Sequence, residues 1–402
     1  MTSPSTTPPA QRLWRIEHCG AVTSVGTRAW QSAASWVGLQ KRFRKALQPR
    51  IAARPFTTAP CPEVADGFTG IPRLARLLAA ALADLAEALP GTRGAGHAVP
   101  VPEPDHLVLA LPLRLESEAC AEVWRQALAE LARWADPQVA AAWAARPCHF
   151  VRGGHSAGFA ALETLGRLGE HQGTALLMAV DSLLDETVLA QAHARGALLA
   201  DATPDGCVAS EAAAGLWLAA VPDTRASHAR GLVLHAPALA SNATAHRRPP
   251  QDPDAAALEA VLRTALAQAG WEGDNVGFSL SDFDGSSWRA LAQVAARVRA
   301  ARHLDPTDWE PAAVIGQVGA ATGPVHWALA AQRVLHDLHP ANSILSSALD
   351  EGTEAAAVAL ERTLQHPRAH TGQGHAAEAG AHPEPVRTYS ARFLQNNQNI
   401  DR

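Results

Sequence analysis

Along most of this chain, short apolar runs alternate with long Ala/Leu-rich amphipathic stretches, and no other feature constrains the fold as tightly. Residues 107–111 (LVLAL) have strand length and lead into a helical pattern over 116–134. Apolar runs at 149–151, 175–180, 215–221, 231–235 and within 355–360 continue the series. Helical patterns cover 73–89, 255–269, the stretch from the turn after 151 to about 169, and the stretch from 323 to about 338. Strand, turn and helix repeat through 279–299, and residues 13–16 open the chain as a short strand entering a Gly-bounded turn at 20–26. A strand that feeds a helix and then another strand builds layers, so the expected class is α/β.

The length of 402 residues suits one large domain of two halves, or two closely packed domains. Hydrophobic residues at 47% and charged residues at 18% describe a chain that forms a core. A formal net charge of −5 gives no electrostatic reason to expect nucleic acid as a partner. Cys19, Cys61, Cys120, Cys148 and Cys207 are scattered and lack a CxxC pair, which argues against a disulfide framework or zinc site and for a reducing, cytoplasmic setting. Residues 1–12 read as a loose leader without the basic start and apolar stretch of a signal peptide. No apolar run spans a bilayer, since 77–89 is broken by Asp84 and Glu87, so membrane insertion is not expected. Residues 365–385 are rich in His, Gly, Ala and Pro and read as a flexible linker. Their histidines, His366, His370, His375 and His382, lack metal-ligand spacing, and no cofactor or metal is expected. Residues 385–402 carry the only tyrosine, Tyr389, and read either as a docking peptide or as a frayed end that packs locally.

Gly154-His155-Ser156-Ala157-Gly158 matches the G-x-S-x-G elbow of serine hydrolases, a tight strand-to-helix turn that presents a serine hydroxyl. Asp284 with His303 or His326 would then follow as acid and base. Small residues at a strand-to-helix turn satisfy the pattern readily in an Ala/Gly-rich chain, and no HGGG-type oxyanion loop precedes it.

A second reading accounts for more segments. Residues 16–26 (IEHCGAVTSVG), 153–162 (GGHSAGFAAL), 175–182 (ALLMAVDS), 205–215 (DGCVASEAAAG), 231–250, 281–287 (SDFDGSS) and 315–323 (IGQVGAATG) resemble, in order, segments of the β-ketoacyl synthase family. The resemblance implies a thiolase-like, five-layered αβαβα fold of two duplicated halves. Residues 13–227 form the first half and 228–364 the second, with dimerisation through strands near the elbow and the active site between the halves.

In that family a cysteine thiolate attacks an acyl thioester, two histidines stabilise the enolate and a lysine supports them. The chemistry needs a low-pKa nucleophile at a helix N-terminus and donors aimed at the developing oxyanion. Carried over by position, His155 stands for the cysteine, Asp284 for the first histidine, Gln317 for the second and Ala312 for the lysine. No realignment restores the lysine, because the chain has none after Lys45. The GFGGTN loop is present only in fragments within 342–353, and Cys207 replaces the phenylalanine of the 205–215 loop. Losing all four groups together argues against acyl condensation, and a carboxylate at 284 would repel an enolate.

His155, Cys207, Glu211, Asp284 and Gln317 therefore become candidate binding residues, with Glu211 expected to hold its loop. A His155–Asp284 pair could act as a base or activate Ser156, or could simply satisfy a buried imidazole. Cys148 lies before the strand and reads as packing. The leading functional expectation is a catalytically inactive accessory or adaptor subunit. It would pair with itself or with a ketosynthase homologue, as chain-length-determining subunits do, or serve a bacterial secretion cluster, type VI included. The alternatives are a serine esterase or acyltransferase using Ser156, and an acyl-binding protein without turnover.

Overall fold

The computed structural model describes residues 13–48, 50–90, 102–168, 173–222, 231–241, 255–271, 276–300, 307–336, 342–351 and 354–363. The N-terminal half begins with β1 (Leu13–Val22), α1 (Ala29–Val37), β2 (Arg44–Ala46), β3 (Phe56–Ala59), α2 (Pro62–Ala65) and α3 (Gly70–Ala88). It continues through β4 (His106–Pro112), α4 (Ser117–Trp134), α5 (Pro137–Ala144), β5 (Cys148–Gly153), α6 (Ala157–Leu168), β6 (Thr174–Ser182), α7 (Glu186–Ala194) and β7 (Ala209–Val221). The second half carries β8 (Gly231–Leu234), β9 (Ala238–Ser241), α8 (Ala256–Ala269), β10 (Phe278–Ser281), α9 (Ser287–Ala300) and β11 (Thr307–Trp309). It closes with α10 (Ala312–Ile315), α11 (Thr322–Leu335), β12 (Ser343–Leu349) and β13 (Glu354–Thr363).

Strand order exposes a duplication. The first half runs β5-β4-β6-β7-β1 and the second β11-β10-β12-β13-β8, so each half places its own strands in the order third, second, fourth, fifth, first. In both, the fifth strand is the antiparallel one. β4 pairs parallel with β5 and β6, as β10 does with β11 and β12. β7 and β13 are antiparallel to both of their neighbours on this path. The halves join where β1 and β8 pair antiparallel, Trp14 against Leu234 and Ile16 against Leu232.

Burial divides the interior into separate cores, which defines the layers. The central core draws on both halves, with Trp14, Phe159 and Leu162 packed with Trp327, Leu329 and Val358 around α6 and α11. An outer core sets α3 and α4 on the first half of the sheet, and another sets α8 and α9 on the second. Helices outside, the two halves of one continuous sheet, and a shared helical layer between them make the five-layered α/β fold. The chemistry of α11 fits its place: of its fourteen residues eleven are buried, from Thr322 to Val334. A helix apolar on every side must be buried on every side.

Several sequence expectations shift. β1 runs on through Gly20 to Val22, because its ladder with β7 continues to Val22 opposite Ala213. β7 begins at Ala209, so residues expected in the 205–215 loop, Glu211 among them, are strand. α5 and β12 were not anticipated, and α11 ends at Leu335. The 1–12 leader, residues 242–250 of the 231–250 segment, His303 and the 365–402 tail lie outside the described residues.

Candidate functional site

Two tight elbows meet at the heart of the central layer. In the first half, Gly154-His155-Ser156 leads from β5 into α6, whose first residues are Ala157-Gly158. In the second, Gly319-Ala320-Ala321 leads into α11, which opens Thr322-Gly323. The two five-residue segments occupy equivalent places in the repeat. Gly158 brings the helices together, since a Cβ there would overlap Pro324. Only glycine permits so close an approach.

Each elbow is held by a carboxylate from the far half. At the end of β6, Asp181 accepts from Ala320 N at 2.9 Å. Just past β12, Asp350 accepts from the backbone N–H of His155 and, at 3.4 Å, from that of Ser156. β6 and β12 are corresponding strands in the duplicated order, so the two clamps are related by the repeat. A Cβ on Gly154 would overlap Asp350, and one on Gly319 would overlap Asp181. Free N–H groups at the start of a helix attract anions, and at α6 the protein supplies its own.

Ser156 Oγ stands 2.6 Å from Asp350 and 2.9 Å from Glu354. A hydroxyl has one proton, so it donates to one carboxylate at a time. No imidazole is hydrogen-bonded to Ser156 among the described residues, and His326 is buried and held neutral, pushed down to about 4 by desolvation. Among the described residues, the serine-hydrolase arrangement of nucleophile, histidine and acid is not assembled around Ser156.

The imidazole of His155 turns the other way. Its Nδ1 lies 3.1 Å from Asp282 and 3.5 Å from Thr322 Oγ1. This corrects the expected His155–Asp284 pair, because the partner is two residues earlier. Asp282 is the first residue beyond β10, and it also accepts from Leu349 N at 2.9 Å and Arg289 Nη1 at 2.5 Å. Asp284 instead accepts from Ser286 N at 3.0 Å and from Gln317 Nε2 at 2.8 Å. Arg289, fully buried on α9, sits 3.4 Å from Asp284 and ties the two acids together. His155 and Arg289 thus face Asp282 and Asp284 in one buried network.

Burial and Arg289 push the His155 imidazole down, but its hydrogen bond to Asp282 and the charges of Asp282 and Asp350 outweigh them, so its pKa is raised. Burial pushes Asp282 up, yet Arg289 and His155 prevail and hold it low. With Nδ1 engaged by Asp282, the imidazole is not aligned to take a proton from Ser156.

The remaining candidates are structural in their contacts. Gln317, besides Asp284, bridges to Val208 O and Ser210 N through its backbone. Ala312 opens α10 with its methyl buried. Cys207 is pinned by backbone bonds to Ala197 and Leu199, and burial with Asp284 nearby pushes its thiol up to about 12. Burial raises Cys148 as well, so neither sulfur is an activated thiolate. Glu211, fully buried in β7, accepts from Cys61 N at 2.8 Å, Ser182 Oγ at 2.8 Å and the Arg73 guanidinium at 2.5 and 2.6 Å. It fastens α3 to the sheet.

Sequence reasoning missed Asp282, Arg289, Asp350 and Glu354. One signal was available for the first two: Arg289 lies seven residues after Asp282 and within an Ala-rich helix, where a buried guanidinium needs an acid. Nothing local marked Asp350, whose role depends on β12 ending against the other half's elbow.

No family model matches the sequence, and no curated protein matches it. Solved structures do match in fold. The oxazolomycin ketosynthase domain KS7 of OzmH from Streptomyces albus JA3453 superposes with a TM-score of 0.67 at 15% identity, covering 92% of this chain and 77% of that one. The ishigamide ketosynthase/chain length factor gives a TM-score of 0.63 at 16% identity, covering 88% and 99%. A ketosynthase from module 6 of the bacillaene synthase of Bacillus subtilis 168 gives 0.64 at 11%, covering 87% and 72%. The chain has the thiolase-like fold of the ketosynthases.

Proposed function

We propose that this ketosynthase-fold chain is a non-catalytic subunit that works by binding other proteins, as an accessory or adaptor. The observation that carries the reading is the Asp350 carboxylate on the N–H groups of His155 and Ser156. Oxyanion stabilisation requires preorganised donors that point at developing negative charge. Donors already held by a fixed anion repel that charge instead. The neighbouring imidazole is committed to Asp282, and no lysine or thiolate stands by to replace it.

Binding roles are compatible with the same geometry, since the pocket position is filled by an ion-paired network while the outer surfaces stay available. Self-pairing or pairing with a ketosynthase homologue would use β5, the terminal strand of the first half's order, which leads directly into the elbow. Such a subunit suits an acyl-assembly complex or a bacterial secretion system, and the segment 385–402 is its candidate tether to a partner. No helix among the described residues is long and apolar enough to cross a membrane.

Turnover tests the reading. The full chain, incubated with malonyl and acyl thioesters, should release neither carbon dioxide nor free thiol above the rate of a heat-denatured control. A fluorophosphonate probe should leave it unlabelled. Saturable thiol release, or labelling that Ser156→Ala removes, would overturn the proposal in favour of an esterase or acyltransferase.

A further inference from the structure

We infer that the β2–β3 hairpin and the turn leading into it form a docking surface for an acidic, amphipathic segment of a protein partner. This rests on the reading of the chain as a binding subunit and gives that partner a chemistry.

Charge along the sequence is unevenly placed. Six of the 34 Lys and Arg side chains and none of the 39 acids fall within residues 41–54, leaving 28 cations against all 39 acids elsewhere. Both lysines of the chain, Lys41 and Lys45, lie in this stretch. The cations stand on a backbone fixed to the fold. Arg44 pairs with Thr58 and Lys45 with Thr57, while β3 itself pairs with β7 at Ala209. Phe56 and Ala52 anchor the excursion in a small core with Leu189 and Leu198.

Two cations show how the surface takes carboxylates. Arg42 holds Glu63 at 2.8 Å and Lys45 holds Asp201 at 3.1 Å. Lys41, Arg44, Arg50 and Arg54 are exposed and have no ion pair among the described residues. Two large apolar side chains flank them, Leu39 at 68% exposure and Leu47 at 60%. Leu39 also has a φ of 53°, the only non-glycine in the left-handed region among the described residues. Glycine would make that turn without strain, so a leucine there exposes its side chain at a conformational cost. Cations with exposed leucines on either side complement a helix whose faces are acidic and apolar. An anionic bilayer would satisfy the same groups, but a chain of net charge −5 is repelled by it as a whole. A short acidic segment engages the hairpin alone, and charges beyond about 10 Å are screened.

The test uses the full chain and a synthetic acidic helix with glutamates on one face and leucines on the other. Its controls are a peptide with Gln for Glu and phosphatidylglycerol vesicles. Wild type should bind the glutamate peptide saturably and lose about tenfold in affinity between about 50 and 200 mM salt. The combined change Lys41→Gln, Arg44→Gln, Arg50→Gln and Arg54→Gln should abolish binding. Leu39→Gly should weaken it at least about fivefold while leaving the melting temperature equal or higher, because the strained turn relaxes. Equal binding of the Gln peptide, binding of vesicles alone, or wild-type affinity in the charge variant would overturn the inference. Thioester turnover with peptide binding intact would overturn the binding-subunit reading and leave this surface standing. No turnover together with no peptide binding would overturn this surface alone.

Discussion

His155 and Asp282 give the site a pH signature with a definite sign. The imidazole pKa is higher in the folded chain than its ordinary 6.5, so its charged form stabilises the fold. That contribution is complete below about 6.5 and is lost as pH rises through the raised value. Asp282 runs the other way, contributing above its ordinary 3.8 and fading as pH falls through its lowered value. His326, kept neutral by burial, also costs stability as pH falls below 6.5. Urea denaturation between about pH 6.5 and 8.5 should therefore show stability falling with pH in wild type and flat in His155→Phe. Equal slopes in the two proteins would remove the imidazolium–carboxylate pair. Asp282→Asn leaves Arg289 and His155 short of an anion in a buried setting and should cost about 3–5 kcal/mol, measured by the same method. The matching double change to apolar residues should cost far less, which a double-mutant cycle would show.

At the scale of elements, the strand-to-helix elbows decide how the halves fit. Gly158→Ala places a methyl against Pro324 and should destabilise by about 1–3 kcal/mol without altering the pH slope. Gly154→Ala should instead displace Asp350 from the His155 and Ser156 amides, and slowed-exchange protection at those amides, read by hydrogen exchange, should fall. Most elements were legible from sequence because their apolar period is unambiguous, as in α3 and β4, whose buried residues follow it. β12 was not, since its Ser346 and Ser347 break the apolar run, yet ladders with β10 and β13 bury both. The segments that resemble ketosynthases were readable in order along the chain, and solved ketosynthases share its fold. Which acid meets His155 was not readable, because the turn after β10 presents Asp282 to the elbow while Asp284 folds back on Ser286, a choice made by hydrogen bonds rather than by spacing. The correspondence of Gly154–Gly158 with Gly319–Gly323 was present in the sequence, but only the strand order shows the two as equivalent.

Across the whole molecule, the duplicated halves build the layered thiolase-like frame and hold its centre with reciprocal carboxylate clamps. Asp181 and Asp350 each reach across the central layer, so the two elbows are tied by the protein's own anions. Chemistry at such a centre would require Asp350 to leave the amides it holds. Intact-protein mass spectrometry after incubation with an excess of acyl thioester reads this directly. The expected spectrum shows the unmodified mass of the chain at every time point. An added acyl mass, mapped by peptide sequencing to Ser156 or Cys148, would contradict the occupied elbow.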